Sequence, residues 1–206
     1  RRCSATQLID IYGLTETSTC DFFAFPADAA RRPGCIGRPS PQVQHRIADA
    51  AGQPVAAGAV GELQLRSPFL LAGYLDAPEL TAETFQHVWF RTGDLARQHA
   101  DGLVELMGRQ KELISRGGHK LTPVEVEQAL SAHPDVAAAM VTGVADAVLG
   151  ERIHVLVVPR SGTAPTVAAL RQHLAGRLEK FKHPDAWHLA DALPLGRTGK
   201  ADRGAL

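Results

Sequence analysis

Glycine and proline divide the first half of the chain into short segments, and this limits what the chain can fold into. The sequence of 206 residues contains 19 Gly and 13 Pro. Residues 43–48 and 61–66 alternate apolar and polar side chains, as half-buried strands do. A further hairpin is predicted across Asp101-Gly102, because this dipeptide tolerates the positive φ angles of a tight turn. Residues 1–108 are therefore predicted to be mainly β.

The pattern changes after Gly108. Residues 111–115 and 119–121 predict a hairpin, and a helix is then expected to begin at Thr122, which is a favourable N-cap. Pro123 suits the first helical position, and Glu125 completes a Thr-x-x-Glu capping box. Together these features predict that the second half mixes helices with strands.

The rest of the second half repeats this mixture. β-branched runs at 136–144 and 152–158 predict two strands, and a strand is also predicted at 187–189. Apolar residues at helical spacing predict a helix over 166–180. The chain as a whole is therefore assigned to the α+β class.

Charge and cysteine content exclude several classes of protein. The 22 Lys and Arg balance 22 Asp and Glu, and 45% of the residues are hydrophobic, so neither a disordered chain nor a polybasic nucleic-acid or membrane-surface binder is indicated. Cys3, Cys20 and Cys35 form no CxxC pair, which predicts free thiols in a reducing compartment. No apolar run is long enough for a signal peptide or a transmembrane segment, so a cytoplasmic location is expected.

The first group of residues suited to chemistry is Tyr12-Gly13-Leu14-Thr15-Glu16, which follows an apolar strand. An aromatic ring can stack on a base, glycine permits a close approach, a hydroxyl can bind phosphate, and a carboxylate can hold Mg²⁺. Taken alone, the group is more typical of an ordinary polar turn at the end of a strand.

Three more groups lie further along the chain. Thr92-Gly93-Asp94 is a turn whose carboxylate could accept hydrogen bonds from a ribose. Basic residues and two glycines gather between 108 and 120, where they could face an anion or form a solvated linker. Lys200 lies in a glycine-flanked loop that could bring a point charge to a developing negative charge.

Taken in this order, the groups resemble the adenylate-forming superfamily, which includes acyl-CoA synthetases and peptide-synthetase adenylation domains. The resemblance spans nearly the whole chain. The stretches that carry it are Tyr-Gly-Leu-Thr-Glu at 12–16, Gly-Glu-Leu-Gln-Leu-Arg at 61–66 with Gly73-Tyr74, Thr-Gly-Asp at 92–94, Gly-Arg-Gln-Lys-Glu-Leu-Ile-Ser-Arg-Gly-Gly at 108–118, and Gly-Arg-Thr-Gly-Lys at 196–200.

The resemblance implies a reaction and a set of cofactors. In this superfamily a carboxylic acid and MgATP form an acyl-adenylate, and the C-terminal domain then rotates so that coenzyme A or a carrier thiol accepts the acyl group. For this chain the resemblance implies ATP/AMP and Mg²⁺ as ligands, coenzyme A as co-substrate, and a fatty or aromatic acid as substrate.

It also implies a role for individual residues of the first half. Tyr12, beside Gly13, would stack on adenine. Thr15 would contact phosphate, and Glu16 would hold Mg²⁺. Asp94 would bind the ribose together with Arg109, the residue that follows Gly108.

In the second half, the resemblance assigns the adenylation lysine and the hinge. Lys200 would stabilise the charge that develops when the acid displaces pyrophosphate. Lys111 would be the hinge, and Gly117-Gly118 would line the pantetheine tunnel.

The resemblance implies that part of the enzyme is not in this sequence. No stretch matches the superfamily's triphosphate loop or acyl pocket, which lie upstream of the position of Tyr12. Residues 1–108 would be the β-rich end of the large AMP-binding domain, and residues 109–206 would be the mobile lid. The chain alone is therefore expected to be inactive without the N-terminal portion. A peptide-synthetase adenylation domain and a non-catalytic lid or interaction fragment are the alternatives.

Overall fold

The computed structural model describes residues 7–197, 199 and 201–206. Within them the chain falls into two compact units, a first unit that ends at Gln110 and a second unit that begins at Lys111. Strands outnumber helices in both units, which confirms the α+β class. None of the described helices reaches the length and apolar character that a bilayer crossing requires.

The described part of the first unit is one antiparallel sheet of eight strands with two short helices. The strands follow the order β1-β2-β3-β8-β7-β5-β4 across the sheet, and β6 pairs with β7. Their bounds are β1 Asp10–Tyr12, β2 Phe22–Ala24, β3 Cys35–Pro39, β4 Gln44–Ala48, β5 Val60–Arg66, β6 Phe85–Gln86, β7 Trp89–Gln98 and β8 Val104–Arg109, with helices α1 Pro26–Arg31 and α2 Pro78–Thr84.

This sheet curls strongly around its own core. The Phe22 ring on β2 packs edge-on against His45 on β4, with ring centroids 5.2 Å apart. In a flat sheet the five spacings between these strands would amount to about 24 Å. Buried side chains from β2, β3, β4, β5, β7 and β8 therefore meet in a single cluster inside the curl.

Gly37 makes part of this curvature possible. It lies at an irregularity in the pairing of β3 with β8 and has φ of +85°. A Cβ atom at this position would lie 1.8 Å from the carbonyl oxygen of Phe23 on β2, so only glycine allows the two strands this close approach.

The second unit packs two helices on a sheet of five strands. The order is β10-β9-β12-β11, and β13 pairs with β12 in the only parallel ladder among the described strands. The bounds are β9 Ile114–Arg116, β10 His119–Leu121, β11 Val136–Asp146, β12 Gly150–Pro159 and β13 Ala186–Leu189, with helices α3 Pro123–Ser131 and α4 Val167–Ala175.

The sequence predicted the order of elements in this unit correctly but not all of their details. Thr122 caps α3 by accepting a hydrogen bond from the backbone N–H of Glu125, as predicted. The predicted hydrogen bond from the backbone N–H of Thr122 back to the Glu125 side chain is wrong, because the Glu125 carboxylate instead accepts a hydrogen bond from Lys182, 3.0 Å away.

Two boundaries also differ from the prediction. α4 ends at Ala175 rather than at 180, since Gly176 follows and glycine is a poor helix former. Residues 110–112 form a 3₁₀ turn, so the strand predicted from 111 begins only at Ile114.

Replacing Gly37 by Ala is expected to unfold the first unit far more readily than replacing Gly58. The two glycines have nearly the same φ, +85° and +86°, but a Cβ at Gly58 meets nothing within 4 Å. G58A should cost only the left-handed strain, about 1–2 kcal/mol, whereas G37A adds a backbone clash and should cost about 3–5 kcal/mol. Urea unfolding followed by Trp89 fluorescence in a W187F background measures both variants.

Equal losses in the two variants would show that the approach of β2 to β3 does not constrain the sheet. Trp89 is suited to this measurement because it lies on β7, next to the core of the first unit. Trp187 is the other tryptophan of the sequence and belongs to the second unit.

Candidate functional site

The first unit brings Tyr12, Asp94 and Arg109 into direct contact. The Tyr12 hydroxyl donates a hydrogen bond to Asp94 Oδ2 over 2.6 Å, and Arg109 Nε lies 2.7 Å from Asp94 Oδ1. Asp94 and Arg109 are partners in the β7–β8 ladder, and Tyr12 ends β1. Three residues that the sequence assigned to one nucleotide therefore form one cluster, here named the Asp94 cluster.

The Asp94 cluster is buried around its carboxylate and more open at its edges. Asp94 has 4% of its surface exposed, while Tyr12 is half-buried and Arg109 is more accessible. Burial and the neighbouring charge of Asp94 raise the pKa of Tyr12 well above its ordinary value. The phenol therefore stays protonated and remains a hydrogen-bond donor to Asp94.

The backbone around Asp94 is held by groups to which the sequence analysis assigned no role. Thr92 donates its hydroxyl hydrogen to Leu63 O over 2.7 Å and accepts the N–H of Asp94 over 3.0 Å. Glu62, which is also buried, accepts hydrogen bonds from Arg91 and from the N–H of Gly93. The sequence contained no signal of this role, because residues 61–66 alternate polar and apolar side chains and Glu62 therefore looked like a solvent-facing residue of a half-buried strand.

The turn after Tyr12 is tightly folded. Residues Thr15–Thr17 form one 3₁₀ turn, in which Thr17 N donates to Leu14 O. Gly13 is required by this fold, because a Cβ there would lie 2.3 Å from the carbonyl oxygen of Thr19. Thr15 is exposed at the turn, so its hydroxyl is accessible to a ligand.

Glu16 is braced by a segment that lies far away in the sequence. Tyr74 donates its hydroxyl hydrogen to Glu16 Oε1 over 3.0 Å, and Leu71 N donates to Glu16 O over 2.8 Å. Burial and the contact with Glu16 raise the pKa of Tyr74, which keeps its hydroxyl in the donating form. The described hydrogen bonds engage only one of the two carboxylate oxygens of Glu16.

The second unit contains the remaining assigned residues that the structure describes. Lys111 is exposed in the 3₁₀ turn at Gln110–Glu112. Gly117 and Gly118 connect β9 to β10 with φ of +56° and +82°, and a Cβ at Gly118 would meet nothing within 4 Å. Glycine is needed at this turn for its backbone conformation. Lys200 lies outside the described residues.

Arg116, which precedes the two glycines, anchors their turn to the second unit. Its guanidinium group contacts both carboxylate oxygens of Asp185, at 2.6 and 3.0 Å, and also donates to Phe181 O. Asp185 in turn accepts the N–H of Ile153. The pair is a bidentate, charge-assisted contact and is well shielded from water.

Among the described residues, no three His, Cys, Asp or Glu side chains converge to form a metal centre by themselves. A phosphate could supply oxygen ligands to a metal ion at the turn after Tyr12, in addition to Glu16.

Comparison with known families gives two matches that together span most of the chain. Residues 1–75 match the family model described as AMP-binding enzyme, and residues 125–200 match the model described as AMP-binding enzyme C-terminal domain. The two matches lie on opposite sides of the boundary between the compact units.

Individual relatives agree with these matches. A sulfoacetate–CoA ligase of Cupriavidus necator is 40% identical over 95% of this chain. Among solved structures, the amide bond synthetase McbA of Marinactinospora thermotolerans has a TM-score of 0.90 at 34% identity over 96% of this chain. An o-succinylbenzoate CoA synthetase of Bacillus subtilis, solved with its acyl-adenylate intermediate, has a TM-score of 0.85 at 28% identity, also over 96% of this chain.

This chain spans only part of the length of these relatives. It covers 38% of the sulfoacetate–CoA ligase, 41% of McbA and 40% of the B. subtilis synthetase.

The sequence contains two tyrosines, and replacing each by Phe should have different effects. Y12F removes a 2.6 Å hydrogen bond to a buried carboxylate and should lower the free energy of unfolding of the first unit by about 1.5–3 kcal/mol. Y74F removes a bond to the more accessible Glu16 and should cost about 0.5–1 kcal/mol. Urea unfolding followed by Trp89 fluorescence, with Trp187 replaced by Phe, compares them, and a larger loss in Y74F would contradict the central place given to Asp94.

Replacing Asp185 by Asn should destabilise the second unit in a pH-dependent way. Burial raises the pKa of Asp185, but hydrogen bonds and charge from Arg116 and Ile153 N outweigh it and hold that pKa below its ordinary value. Because the folded pKa is lowered, the stabilisation is present above the unfolded pKa and is lost as the pH falls through the folded pKa.

D185N should therefore cost about 1.5–3 kcal/mol at neutral pH. The difference from the parent should shrink as the pH falls below the unfolded value of about 3.9. Trp187 fluorescence in a W89F background reports this unit, and D191N, at an exposed carboxylate, is the control that should change little. A cost for D185N that persists unchanged in acid would show that the carboxylate charge is not involved.

Proposed function

This chain belongs to the AMP-binding enzymes, and we propose that it is the C-terminal part of a ligase that activates a carboxylic acid with ATP. The acid would form an acyl-adenylate and then a thioester with coenzyme A. The Asp94 cluster is the observation that carries this proposal, since it joins the three residues assigned to a single nucleoside. The relatives, which are CoA ligases and an adenylate-bound synthetase among others, support the same chemistry.

In this proposal the Asp94 cluster binds the nucleoside of ATP. The Tyr12 hydroxyl is held by Asp94, so its ring has a fixed orientation for stacking on adenine. Arg109 is fixed by the same carboxylate and presents further N–H donors toward the ribose. Asp94 would accept the ribose hydroxyl hydrogens with the lone pairs that remain.

The turn after Tyr12 would hold the phosphates. Thr15 offers an exposed hydroxyl, and Glu16 offers the carboxylate oxygen that Tyr74 does not engage. One carboxylate together with phosphate oxygens and water is a usual Mg²⁺ environment, so the turn fits that ion. Mg²⁺ would neutralise phosphate charge and orient the α-phosphate when bound.

The second unit would act as the mobile lid. Lys111 would be the hinge, consistent with its position at the boundary between the compact units. Lys200 would stabilise the negative charge of the adenylation transition state, and the Gly117-Gly118 turn, anchored by Arg116, would line the path of the pantetheine arm.

Fewer observations support the identity of the substrate acid and of the final acceptor than support the adenylation step. A fatty or aromatic acid is proposed, and its pocket would lie in the N-terminal portion, in keeping with coverage of only about two fifths of each relative. Coenzyme A is the proposed acceptor because several relatives are CoA ligases. A carrier protein is the alternative, and a cytoplasmic location remains a prediction.

A chimera provides a direct test. The upstream part of the C. necator sulfoacetate–CoA ligase, joined to residues 1–206 of this chain, should catalyse sulfoacetate-dependent exchange of pyrophosphate into ATP. The 206-residue chain alone should not. In the chimera, K200A should lower the exchange rate about 10²- to 10³-fold, because one preorganised charge is removed from the transition state. K180A, at an exposed lysine of the same unit, is the matched control and should have little effect.

The outcomes separate the proposals. A folded chimera without exchange would contradict adenylation and favour the non-catalytic fragment. Exchange that survives in K200A would remove Lys200 from the mechanism. Mass spectrometry of the product formed with coenzyme A or with a phosphopantetheinylated carrier protein then identifies the acceptor, and a carrier thioester alone would favour the peptide-synthetase alternative.

A further inference from the structure

Asp21 is a buried carboxyl group that the nucleotide site does not use. It lies directly before β2, is 0% exposed, and contacts the turn after Tyr12. Its Oδ2 lies 2.6 Å from the hydroxyl oxygen of Thr17, the last residue of that turn. Its Oδ1 has no hydrogen-bond partner among the described residues.

The hydrogens around Thr17 can be counted. Thr17 Oγ1 accepts the N–H of Leu14 over 3.2 Å and lies 2.9 Å from Leu14 O and 2.6 Å from Asp21 Oδ2. A hydroxyl group carries one hydrogen and two lone pairs. The carbonyl oxygen of Leu14 cannot donate, so its contact with Thr17 uses the only hydroxyl hydrogen. The contact with Asp21 then needs a hydrogen on the carboxyl group.

An ionised Asp21 would leave two acceptor oxygens in close contact, although Leu14 O would keep the hydrogen bond from Thr17 N. The Thr17 hydrogen would then point to Asp21, and Leu14 O would face Thr17 Oγ1 at 2.9 Å without a hydrogen between them. The orphaned Oδ1 would also carry part of a buried negative charge, which is far more costly than a buried neutral carbonyl.

We propose that Asp21 is a neutral carboxylic acid that donates a hydrogen bond to Thr17 and thereby positions the Leu14–Thr17 turn. In this arrangement Thr17 donates to Leu14 O and accepts from both Leu14 N and Asp21. All of its hydrogen-bonding capacity is used. Both ends of the turn that contains Thr15 and Glu16 are fixed by this network.

The charges around Asp21 agree with this assignment. Burial raises the pKa of Asp21, and the nearby hydrogen-bond donors, chiefly the Thr17 hydroxyl, offset this only in part. In the described part of the chain no Lys or Arg side chain forms an ion pair with it, and Arg38 on the neighbouring β3 is directed to Asp28.

The titratable groups on the surrounding elements supply no positive charge either. Tyr12 on β1 is neutral because its pKa is raised, and His45, which packs on Phe22 from β4, is neutral because burial lowers its pKa. Glu16 in the turn is an acid and supplies no positive charge.

The neutral form has a consequence for ligand binding that rests on the proposed function. A negative charge close to the turn would weaken its binding of phosphates, and the proton on Asp21 removes that charge. Asp21 would therefore act as a positioning residue for Thr15 and Glu16, since it reaches them only through Thr17 and Leu14. The protonation itself does not depend on the identity of the ligand.

Carbon-13 NMR of the full 206-residue chain tests the protonation directly. The side-chain carboxyl carbon of Asp21, identified by its absence from the D21N spectrum, should titrate well above the ordinary aspartate value of about 3.9. Titration at or below that value would overturn the proposal. This readout does not require catalysis, so it stands or fails separately from the proposed function.

Unfolding of two variants tests the donor role. Followed by Trp89 fluorescence in a W187F background, D21N should keep the unfolding midpoint of the parent at mildly acidic pH, because an amide also donates to Thr17. D21A should lower it. Because the folded pKa is raised, the contribution of Asp21 is present at low pH and is lost as the pH rises through that folded pKa. The parent should therefore lose stability relative to D21N as the pH rises above the unfolded value of about 3.9.

A D21N chain that is as unstable as D21A, or a difference between parent and D21N that does not change with pH, would overturn the donor role. If D21A does not fold, D21N and the NMR titration still decide the question. D191N, at an exposed carboxylate, provides the control for the loss of one negative charge.

Discussion

The buried carboxylate of Asp94 is the interaction on which the first unit depends. A buried charge is tolerated only when it is paired and hydrogen-bonded, and here Arg109 and Tyr12 supply one partner to each oxygen. Tyr12 is on β1, four positions from β7 in the sheet, a separation of about 19 Å if the sheet were flat. The 2.6 Å hydrogen bond therefore exists only because the sheet curls, and the site and the curvature form together.

The second unit also relies on acid–base pairs between distant residues. Arg116 and Asp185, 69 residues apart, connect the glycine turn to β12 through Ile153. Arg203 forms ion pairs with Glu112 and Glu127 and donates to Val141 O. Both arginines fix segments of irregular backbone to the sheet, which helps to explain how a small unit holds its turns in place.

The sequence correctly predicted features that depend on neighbouring residues, such as helix caps and tight turns. Thr122 and Pro123 mark the start of α3, and Gly102 marks the β7–β8 hairpin, where its φ is +80°. It could not predict contacts that compete over long distances. Glu125 binds Lys182 instead of closing a capping box, and Tyr74 braces Glu16 from 58 residues away. The group around Tyr12 was found as a candidate site because its chemistry is local, but the curl that brings it to Asp94 depends on strand order, which no local pattern contains.

Asp21 and Asp94 illustrate two ways to bury an acid beside the proposed nucleotide site. Asp94 lies against a guanidinium group, so its charge is matched within the fold. Asp21 has the Thr17 hydroxyl beside one oxygen, and the other has no hydrogen-bond partner in the described part of the chain, so a proton removes the cost of a buried charge. With Asp94 paired to Arg109 and Asp21 protonated, Glu16 is the carboxylate of the turn whose charge is left for a cation. The other two acids then do not compete with Glu16 for that cation. The charge balance of the turn would then be set by the fold before any nucleotide binds.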